Sequence, residues 1–412
     1  MMQDTVNKYP FWQADWRGRV HELYARARVE DPVFRAIGPV SGNPFWFLTR
    51  YDDCVKALKH PRIGKNLRAN LTKDEADRYG VEAQSDDDPF EVVNYHLLNM
   101  DPPDHTRLRA LVHKAFTPRM VDNLRPRIQQ IADELLDEMA AHDELDLLAH
   151  YAFPLPITVI AEMLGVPAAD RDRFRDWSNT ILFSTDPDEA VPRVMEFAMY
   201  TQEMIDARQA EPRDDLISAL VQAEEAGDKL DRMELMSMIF LLLVAGHETT
   251  VNLIGNGMLA LIEHPAEMAR LQAGIDDDEL LRSTIEEMLR YNGPVETTTF
   301  RMAFEDIDFG DAVIPRGEAV MVALLAANRD PAVFVEPDRF DITRQPNRHI
   351  AFGSGIHYCV GAPLARLEGQ IAIRSLVKRF PRLALAVDFD DLVWSENLLL
   401  RGMKSMPVRL HG

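Results

Sequence analysis

The sequence is poor in cysteine, has fewer basic than acidic residues, and is short of long hydrophobic runs. Its 412 residues contain two cysteines, which excludes a disulfide framework or a cysteine-built zinc module. Lysine and arginine number 45 against 67 acidic residues, and the net charge of −22 argues against nucleic acid as a partner. The N-terminus has no apolar core, and the apolar run from Met236 to Val244 is too short to cross a bilayer. We therefore expect a cytoplasmic protein with neither a signal peptide nor a membrane anchor.

One of the two cysteines, Cys359, lies in a frame of glycines at residues 351–361. Glycines stand six and four residues before it and two after it, and His357 stands two before it. Glycine lets the backbone approach a ligand closely, and a plain helix or strand has no use for this spacing. A helix is predicted to begin at Ala362, and its positive end would favour a thiolate. The pattern predicts a flat ligand that packs on the loop and is bound by the sulfur. Cys54 instead fits a small, buried hydrophobic residue.

This segment matches every fixed position of the pattern Phe-x-x-Gly-x-His-x-Cys-x-Gly, from Phe352 to Gly361. It resembles the cysteine-ligand loop of the cytochrome P-450 family. The resemblance implies a haem b whose iron takes Cys359 as its axial ligand. It also implies that Phe352, Gly353 and Gly361 lie against the cofactor.

The fold implied by the resemblance is mainly α with a minor β portion. Length alone would favour two or three domains. The motifs of one site are spread over residues 101–361, however, so they must fold around one centre. We therefore expect a single haem-thiolate monooxygenase domain over residues 1–412, with the haem buried between an oxygen-groove helix and the cysteine loop.

A second motif, Ala245-Gly246-His247-Glu248-Thr249-Thr250, ends the apolar run. A carboxylate and hydroxyls at the end of a buried apolar helix are costly unless something uses them. The small residues Ala245 and Gly246 would leave room for a ligand beside the helix. The stretch resembles the family's oxygen-binding groove, Ala-Gly-x-Asp/Glu-Thr-Thr/Ser. The resemblance implies that Glu248 relays protons and that the Thr249 hydroxyl holds dioxygen or a water beside it.

The same residues invite a second interpretation, because His247 and Glu248 begin a zinc-protease signature. That signature, His-Glu-x-x-His, needs two histidines on one helix face. Position 251 is Val251, and the next histidine is His264. The sequence excludes this kind of zinc site.

Glu287 and Arg290 are three residues apart and can pair on one helix face. Spacing alone would favour a solvated surface contact. The family has a buried Glu-x-x-Arg pair joined by an arginine from a Pro-x-Arg-Phe segment, here Arg339. The resemblance therefore implies a structural trio that retains the fold and the haem.

Haem propionates need cations, and four positions match the family's contacts. His105 and Arg109 are four apart at the start of a predicted helix and so share a face. Arg301 matches a third contact, and His357 of the cysteine loop a fourth. Each alone would be an ordinary surface residue, but together with Cys359 they form a haem-binding set.

Residues 66–99 carry few regular signals, and in the family this region is a mobile loop over the substrate. The resemblance also implies a pocket lined by that loop, by Leu241 and Val244, and by Val295 and Leu398. Such a lining is largely apolar. It suits a mid-sized hydrophobic molecule, and macrolide, terpenoid, steroid and fatty acid all remain open.

The function implied is a monooxygenase that activates dioxygen with two electrons and hydroxylates or epoxidises that molecule, in secondary metabolism. Two alternatives remain: a peroxide-driven peroxygenase on the same fold, and a non-catalytic haem or ligand-binding protein. The pairing of Glu248 with Thr249 favours the monooxygenase, because peroxide already carries the protons and electrons.

We expect the protein to be a monomer and its electron donor to be a ferredoxin-type protein with an NAD(P)H reductase. An acidic iron–sulfur donor would dock on a local basic patch, despite the net negative charge. The candidate residues are His113, Lys114, Arg119, Arg344, Arg348 and His349.

Overall fold

The computed structural model describes residues 8–38, 42–79, 90–184, 186–225 and 227–412. The chain divides into two compact units. Unit 1 is formed by the segments 1–80, 132–152 and 249–412, and unit 2 by 81–131 and 153–248. The division falls inside two helices, Pro118–Met139 and Arg232–Glu263. The expectation of one functional domain over the whole chain stays a prediction.

Unit 1 contains a five-stranded sheet and most of the short strands. The five strands, in their order across the sheet, are Val33–Ile37, Pro44–Leu48, Ala319–Val322, Arg301–Ala303 and Ile63–Gly64. All neighbours in this sheet are antiparallel except Pro44–Leu48 and Ala319–Val322. A second sheet, of three strands, joins Ala384–Leu385, Pro407–Arg409 and Glu144–Asp146, and a small hairpin joins Ile307–Asp308 to Val313–Ile314.

Both faces of the five-stranded sheet are covered by apolar side chains, as the alternation along its strands requires. Phe45 and Phe47 belong to one buried cluster, together with Met321 of the neighbouring strand. Leu48 and Val322 point the other way, into a second cluster. A strand near Phe45 to Thr49 is the element that the aromatic run predicts, and the structure confirms it.

The helices of unit 1 surround these sheets. Including short 3₁₀ and π turns they are Ala14–Arg17, Val20–Glu30, Tyr51–Lys59, Leu67–Asn70, Lys73–Tyr79, Leu148–Ala152, Pro265–Ala273, Asp278–Asn292, Leu324–Ala327, Gly355–His357, Ala362–Arg379 and Phe389–Asp391. The helix predicted from Ala362 begins at that residue, with a proline in its first turn.

Where the structure describes it, unit 2 is helical apart from one two-stranded hairpin, Glu224–Glu225 with Asp228–Lys229. Its own helices are Glu91–Asn94, Leu97–Asn99, Asp104–Ala115, Pro154–Leu164, Ala168–Asp170, Arg171–Phe183, Pro187–Ala210 and Leu216–Gln222. Helices Arg171–Phe183 and Pro187–Ala210 pack through aromatic rings. The Phe174 ring meets the Tyr200 ring edge to face, with centroids 5.2 Å apart, and Trp177 meets Phe197 in the same way at 6.1 Å.

The mainly helical fold with a minor β portion is confirmed. The loop expected over residues 66–99 contains short helices where the structure describes it, and residues 80–89, including its acidic run, lie outside the described residues.

The apolar run from Met236 to Val244 is part of the 32-residue helix Arg232–Glu263. Among the helices described, this one is long and apolar enough to span a membrane by length and composition. A core helix passes the same test, and 56% of its most apolar window is buried inside the protein.

The buried pair of Glu287 and Arg290 organises one end of unit 1. Nε of Arg290 lies 2.7 Å from Oε2 of Glu287, and both side chains are fully buried. Arg290 also donates to the carbonyl oxygens of Asn328, Pro337 and Arg339. The sequence-predicted pair is therefore present and is tied to the chain that leads to the cysteine loop.

The third side chain of this cluster belongs to Arg344, and the prediction of Arg339 was wrong. Nε of Arg344 donates to Oε1 of Glu287 at 3.2 Å, and its side chain is 10% exposed. The Arg339 side chain is 54% exposed and reaches Glu336 and Asp341 instead. The reason lies in the backbone: the carbonyl of Arg339 faces the pair and accepts hydrogen bonds from both Arg290 and Arg344, so its side chain points away.

Replacement of Arg344 by alanine should lower the free energy of unfolding by about 2 kcal/mol, because a hydrogen bond to a buried carboxylate is lost. Arg339→Ala is the matched control and should change it by less than about 0.5 kcal/mol, since it removes only exposed contacts and keeps the carbonyl. Urea unfolding of the two variants beside the parent protein measures both. Equal destabilisation by the two substitutions would contradict this assignment.

Candidate functional site

The cysteine loop presents a single thiol at its surface. Cys359 is exposed, and it lies between the 3₁₀ turn Gly355–His357 and the start of the helix Ala362–Arg379. Its amide donates to the carbonyl of Phe352 at 3.0 Å, which closes the loop on itself. The sulfur is thus held just before a helix N-terminus, where the positive end of the helix dipole favours a thiolate.

Gly355 and Gly361 have different roles in the loop. Gly355 has a φ of +75°, and a Cβ there would come 2.7 Å from the backbone oxygen of Leu58. That glycine lets the loop pack against helix Tyr51–Lys59. A Cβ at Gly361 would instead have its nearest neighbour in the sulfur of Cys359, at 3.9 Å. Gly361 is therefore the glycine that leaves space beside the sulfur.

Glu286 anchors both ends of this loop, a role that the sequence analysis missed. Its carboxylate accepts two hydrogen bonds from Arg366, at 2.6 and 2.9 Å, and lies 3.0 Å from Nε2 of His349. Burial alone would raise the pKa of Glu286, but the bonds from Arg366 and His349 outweigh it and lower the pKa to about 2. The guanidinium of Arg366 also lies over the Phe352 ring, 4.5 Å from its centroid.

The four predicted propionate contacts fall in both units. In unit 1, Arg301 lies at the start of strand Arg301–Ala303 and is buried, and His357 ends the 3₁₀ turn before the cysteine. In unit 2, His105 and Arg109 lie on helix Asp104–Ala115, with His105 buried in its first turn. The predicted helix at this position is confirmed, and its spacing puts the two side chains on one face.

The helix Arg232–Glu263, hereafter the long helix, has an incompletely covered stretch at the predicted groove. Ala245 is exposed, and Leu241, Val244, Glu248 and Thr249 are partly exposed, whereas Leu243 is buried. These spacings of three and four put the uncovered residues on one side of the helix. They form a small, mainly apolar strip with a carboxyl and a hydroxyl at one end.

Gly246 has a packing role that the sequence did not indicate. A Cβ at this position would come 3.1 Å from Cδ1 of Ile160, on helix Pro154–Leu164 of the same unit. The glycine therefore makes room for a neighbouring helix. Its predicted contact with a cofactor stays a prediction.

Comparison with known proteins decides the family. The family model described as Cytochrome P450 matches residues 180–385. Cytochrome P450 107B1 of Saccharopolyspora erythraea is 50% identical over 389 residues, which cover 94% of each chain. The polyketide biosynthesis cytochrome P450 PksS of Bacillus subtilis is 45% identical over 392 residues, covering 94% of this chain and 95% of that one.

The chain belongs to the cytochrome P450 family. Among solved structures, the myxobacterial cytochrome P450 CYP267B1 in complex with myristic acid aligns with a TM-score of 0.90 at 49% identity. The alignment covers 98% of this chain and 100% of that one. The protein is thus a cytochrome P450 monooxygenase, an oxidoreductase, and the family implies a haem-thiolate cofactor, a substrate, dioxygen and a source of electrons.

The residues of this cytochrome P450 fit such a cofactor. Within the residues that the structure describes, no group of three or more His, Cys, Asp or Glu side chains could hold a metal ion. An iron atom at Cys359 would therefore have to bring most of its ligands with it, as a porphyrin does. The exposed sulfur, with open space beside Gly361, suits one axial bond to such a flat group.

Two predicted substrate segments are brought together in unit 1. Val295 bridges to Leu400, and the hydroxyl of Thr297 donates to the carbonyl of Leu398 at 3.0 Å. The two chain segments that contain Val295 and Leu398 therefore run side by side, as the prediction of a shared lining requires.

A buried charge network behind these segments was not predicted. Glu296 is fully buried and accepts two hydrogen bonds from Arg17, at 2.9 and 2.7 Å, and one from Tyr24 at 2.7 Å. Arg17 also donates to the carbonyl of Asn397. A stretch in which Glu296 is followed by three threonines gives no signal of a partner 279 positions earlier. The ion pair of Arg17 with Glu296 holds in place the backbone segments that contain Val295 and Leu398.

The predicted basic patch needs correction. Arg344 and His349 are not surface cations, because their side chains are 10% and 3% exposed and face Glu287 and Glu286. Arg348 is exposed in unit 1, and in unit 2 so are His113, Lys114 and Arg119. These four remain as candidates for a docking surface.

Glu286→Gln should destabilise the protein at neutral pH, and the difference from the parent should shrink as the pH falls from 4.5 toward 2. The sign follows from linkage: a carboxyl whose folded-state pKa lies below its ordinary value of 4.5 stabilises the fold above that value, and loses this effect on protonation. Urea unfolding across this pH range measures the difference. Glu305→Gln, at an exposed carboxyl of the same unit, is the control, and a pH-independent difference for Glu286→Gln would contradict the prediction.

Proposed function

We propose that this cytochrome P450 binds haem b through the thiolate of Cys359 and oxidises a mid-sized hydrophobic molecule of secondary metabolism, in the cytoplasm and as a monomer. The observation that carries the proposal is the exposed sulfur at a helix N-terminus, with the loop tied to Glu286 on both sides. When bound, the haem supplies the activation of dioxygen that no amino-acid side chain provides.

The residues proposed to hold the haem are those that the sequence predicts. Cys359 would bind the iron, and Phe352, Gly353 and Gly361 would lie against the cofactor. Ala245 and Gly246 of the long helix would also contact it, and the exposed methyl of Ala245 takes little space. The propionates are bound by His105, Arg109, Arg301 and His357, since guanidinium and imidazole groups donate well to carboxylates.

Glu248 and Thr249 are the catalytic residues. A carboxyl that is 17% exposed can exchange protons with solvent while it faces a mostly buried site. Glu248 therefore passes protons toward the reacting oxygen. The hydroxyl of Thr249, the next residue along the helix, holds a water or dioxygen in place by hydrogen bonding. Both side chains lie on the uncovered strip of the helix, which gives them access to a bound substrate.

The residues that we propose to contact the substrate are Leu241, Val244, Val295 and Leu398, and the lid over residues 66–99 stays a prediction. The apolar side chains of these residues exclude water and bind an apolar molecule. The similarity to a polyketide biosynthesis enzyme and to a relative crystallised with myristic acid supports a polyketide-like or long-chain substrate. The reaction is hydroxylation or epoxidation.

The electrons come from a ferredoxin-type protein with its NAD(P)H reductase. A donor with an acidic face would be attracted by exposed cations. The candidates that remain are Lys114, Arg119 and Arg348, together with His113, whose pKa is lowered by partial burial and by the charge of Arg109.

Replacement of Cys359 by histidine should abolish the thiolate signature of the reduced, carbon monoxide-bound protein. The parent protein should show a Soret band strongly red-shifted from that of a histidine-ligated haem, because thiolate donation changes the iron's electronic structure. Cys54→Ala is the matched control, since it removes the other thiol, and it should leave the band unchanged. A parent protein with a band at the histidine-ligated position, or without haem, would overturn the assignment.

Thr249→Ala should uncouple electron consumption from product formation. Without the hydroxyl, reducing equivalents should go to hydrogen peroxide, with product per NAD(P)H reduced by at least about tenfold. Thr249→Ser retains the hydroxyl and should stay close to the parent. Product, peroxide and NAD(P)H are measured together, with a ferredoxin and its reductase as electron source. Tightly coupled turnover by Thr249→Ala would remove Thr249 from the mechanism, and turnover with peroxide alone would favour a peroxygenase.

A further inference from the structure

His247 is a buried polar side chain of the long helix that the assignments above leave without a role. Its imidazole is fully buried in unit 2, and its ring packs edge-on against Phe153, with centroids 5.8 Å apart. Neighbouring residues of a helix ordinarily point in different directions. Nevertheless, Nε2 of His247 lies 3.3 Å from Oε1 of Glu248.

The hydrogen-bonding of the ring fixes its tautomer. Nδ1 lies 2.9 Å from the carbonyl oxygen of Leu243, one turn earlier in the helix. A carbonyl only accepts, so Nδ1 carries a hydrogen, and the neutral ring has its lone pair on Nε2. Nε2 is buried and makes no hydrogen bond of good geometry in this structure. A buried acceptor that lacks a hydrogen-bond donor destabilises the folded state.

Glu248 is the charged or titratable group that faces this nitrogen within the described part of the chain. If its carboxyl is ionised and the ring is neutral, two acceptors oppose each other across 3.3 Å, and an ion pair would place a charge on a fully buried ring, which is costly. If the carboxyl is protonated, a small rotation lets its O–H donate to Nε2, and both groups are satisfied. The contacts on the other side, from Phe153, are apolar and supply no competing donor.

We propose that His247 is a positioning residue that holds Glu248 in its protonated form, through a hydrogen bond from the carboxyl to Nε2. The proposal rests on the proposed role of Glu248 as a proton donor and explains how that carboxyl is kept protonated. On donation the proton leaves the carboxyl for a water or hydroxyl beside Thr249. The carboxylate left behind faces a lone pair, so uptake of a solvent proton restores the hydrogen-bonded pair.

Infrared spectra of the reduced, carbon monoxide-bound holoenzyme test the pair directly. A protonated-carboxyl band that shifts in D2O should be present in the parent protein and absent from Glu248→Gln. In His247→Phe it should be lost, because the carboxyl ionises once Nε2 no longer accepts its proton. His247→Gln offers an amide oxygen in place of Nε2 and should keep the band near its original position. Absence of a Glu248-dependent band, or a band retained in His247→Phe, overturns the proposal.

Product formed per NAD(P)H gives a second readout. His247→Phe should lower it about tenfold, as for loss of a partner that orients a catalytic group, while His247→Gln should stay within about twofold of the parent. An unchanged melting temperature and carbon monoxide spectrum show that the variants are folded. If Glu248→Gln is impaired and His247→Phe is not, the proposal fails and the proposed function stands. If Glu248→Gln is fully coupled, both fail.

The parent protein also permits a test that needs no folded variant. Nitrogen-15 spectra of histidine-labelled, carbon monoxide-bound enzyme should contain one ring with a protonated Nδ1 and an unprotonated, hydrogen-bonded Nε2. The signal is assigned to His247 by its disappearance in His247→Gln or His247→Phe, whichever folds. Signals in which every ring is protonated at Nε2 overturn the proposal.

Discussion

Two adjacent glutamates on helix Asp278–Asn292 hold the part of the chain that presents the thiol. Glu287 binds Arg290 and Arg344 and accepts from the amide of Asp341. Glu286 binds His349 before the cysteine and Arg366 after it. The loop itself is irregular and rich in glycine, so it has little rigidity of its own. Its position depends on these charge-assisted hydrogen bonds, which are stronger and more directional than neutral ones.

A second buried ion pair holds the segments of unit 1 that are proposed to contact the substrate. Glu296 is buried with Arg17 and Tyr24, and the segment after Asn397 is bound to that cluster by its carbonyls. Burial of charge is costly unless every group is paired, so each cluster tolerates one arrangement of the backbone around it. Unit 1 thereby uses buried ion pairs to place irregular segments, while regular packing of the sheet supplies its core.

The long helix is apolar along most of its length and has a short polar stretch near its middle. Leu243 and the residues before it are largely buried, and the groove residues that follow include an acid, a hydroxyl and a buried imidazole. The cysteine helix carries a further buried acid, Glu368. Burial raises the pKa of Glu368 well above its ordinary value, and the hydroxyl of Thr250 only partly opposes this shift. Burial therefore favours the neutral form of Glu368.

Local patterns in the sequence, together with the resemblance to the family, predicted the thiol loop, the groove motif, the helix that begins at Ala362 and the Glu287–Arg290 pair. Each depends on neighbours a few residues apart, whose relation is set by the period of a helix or the frame of a loop. The choice of Arg344 over Arg339, and the bond of Glu286 to Arg366 80 residues away, could not be read in this way. They depend on which backbone atoms face the cluster and on long-range packing, which leave no local periodicity. The sequence by itself determined the chemistry of the site, and the tertiary structure decided which distant charges hold it in place.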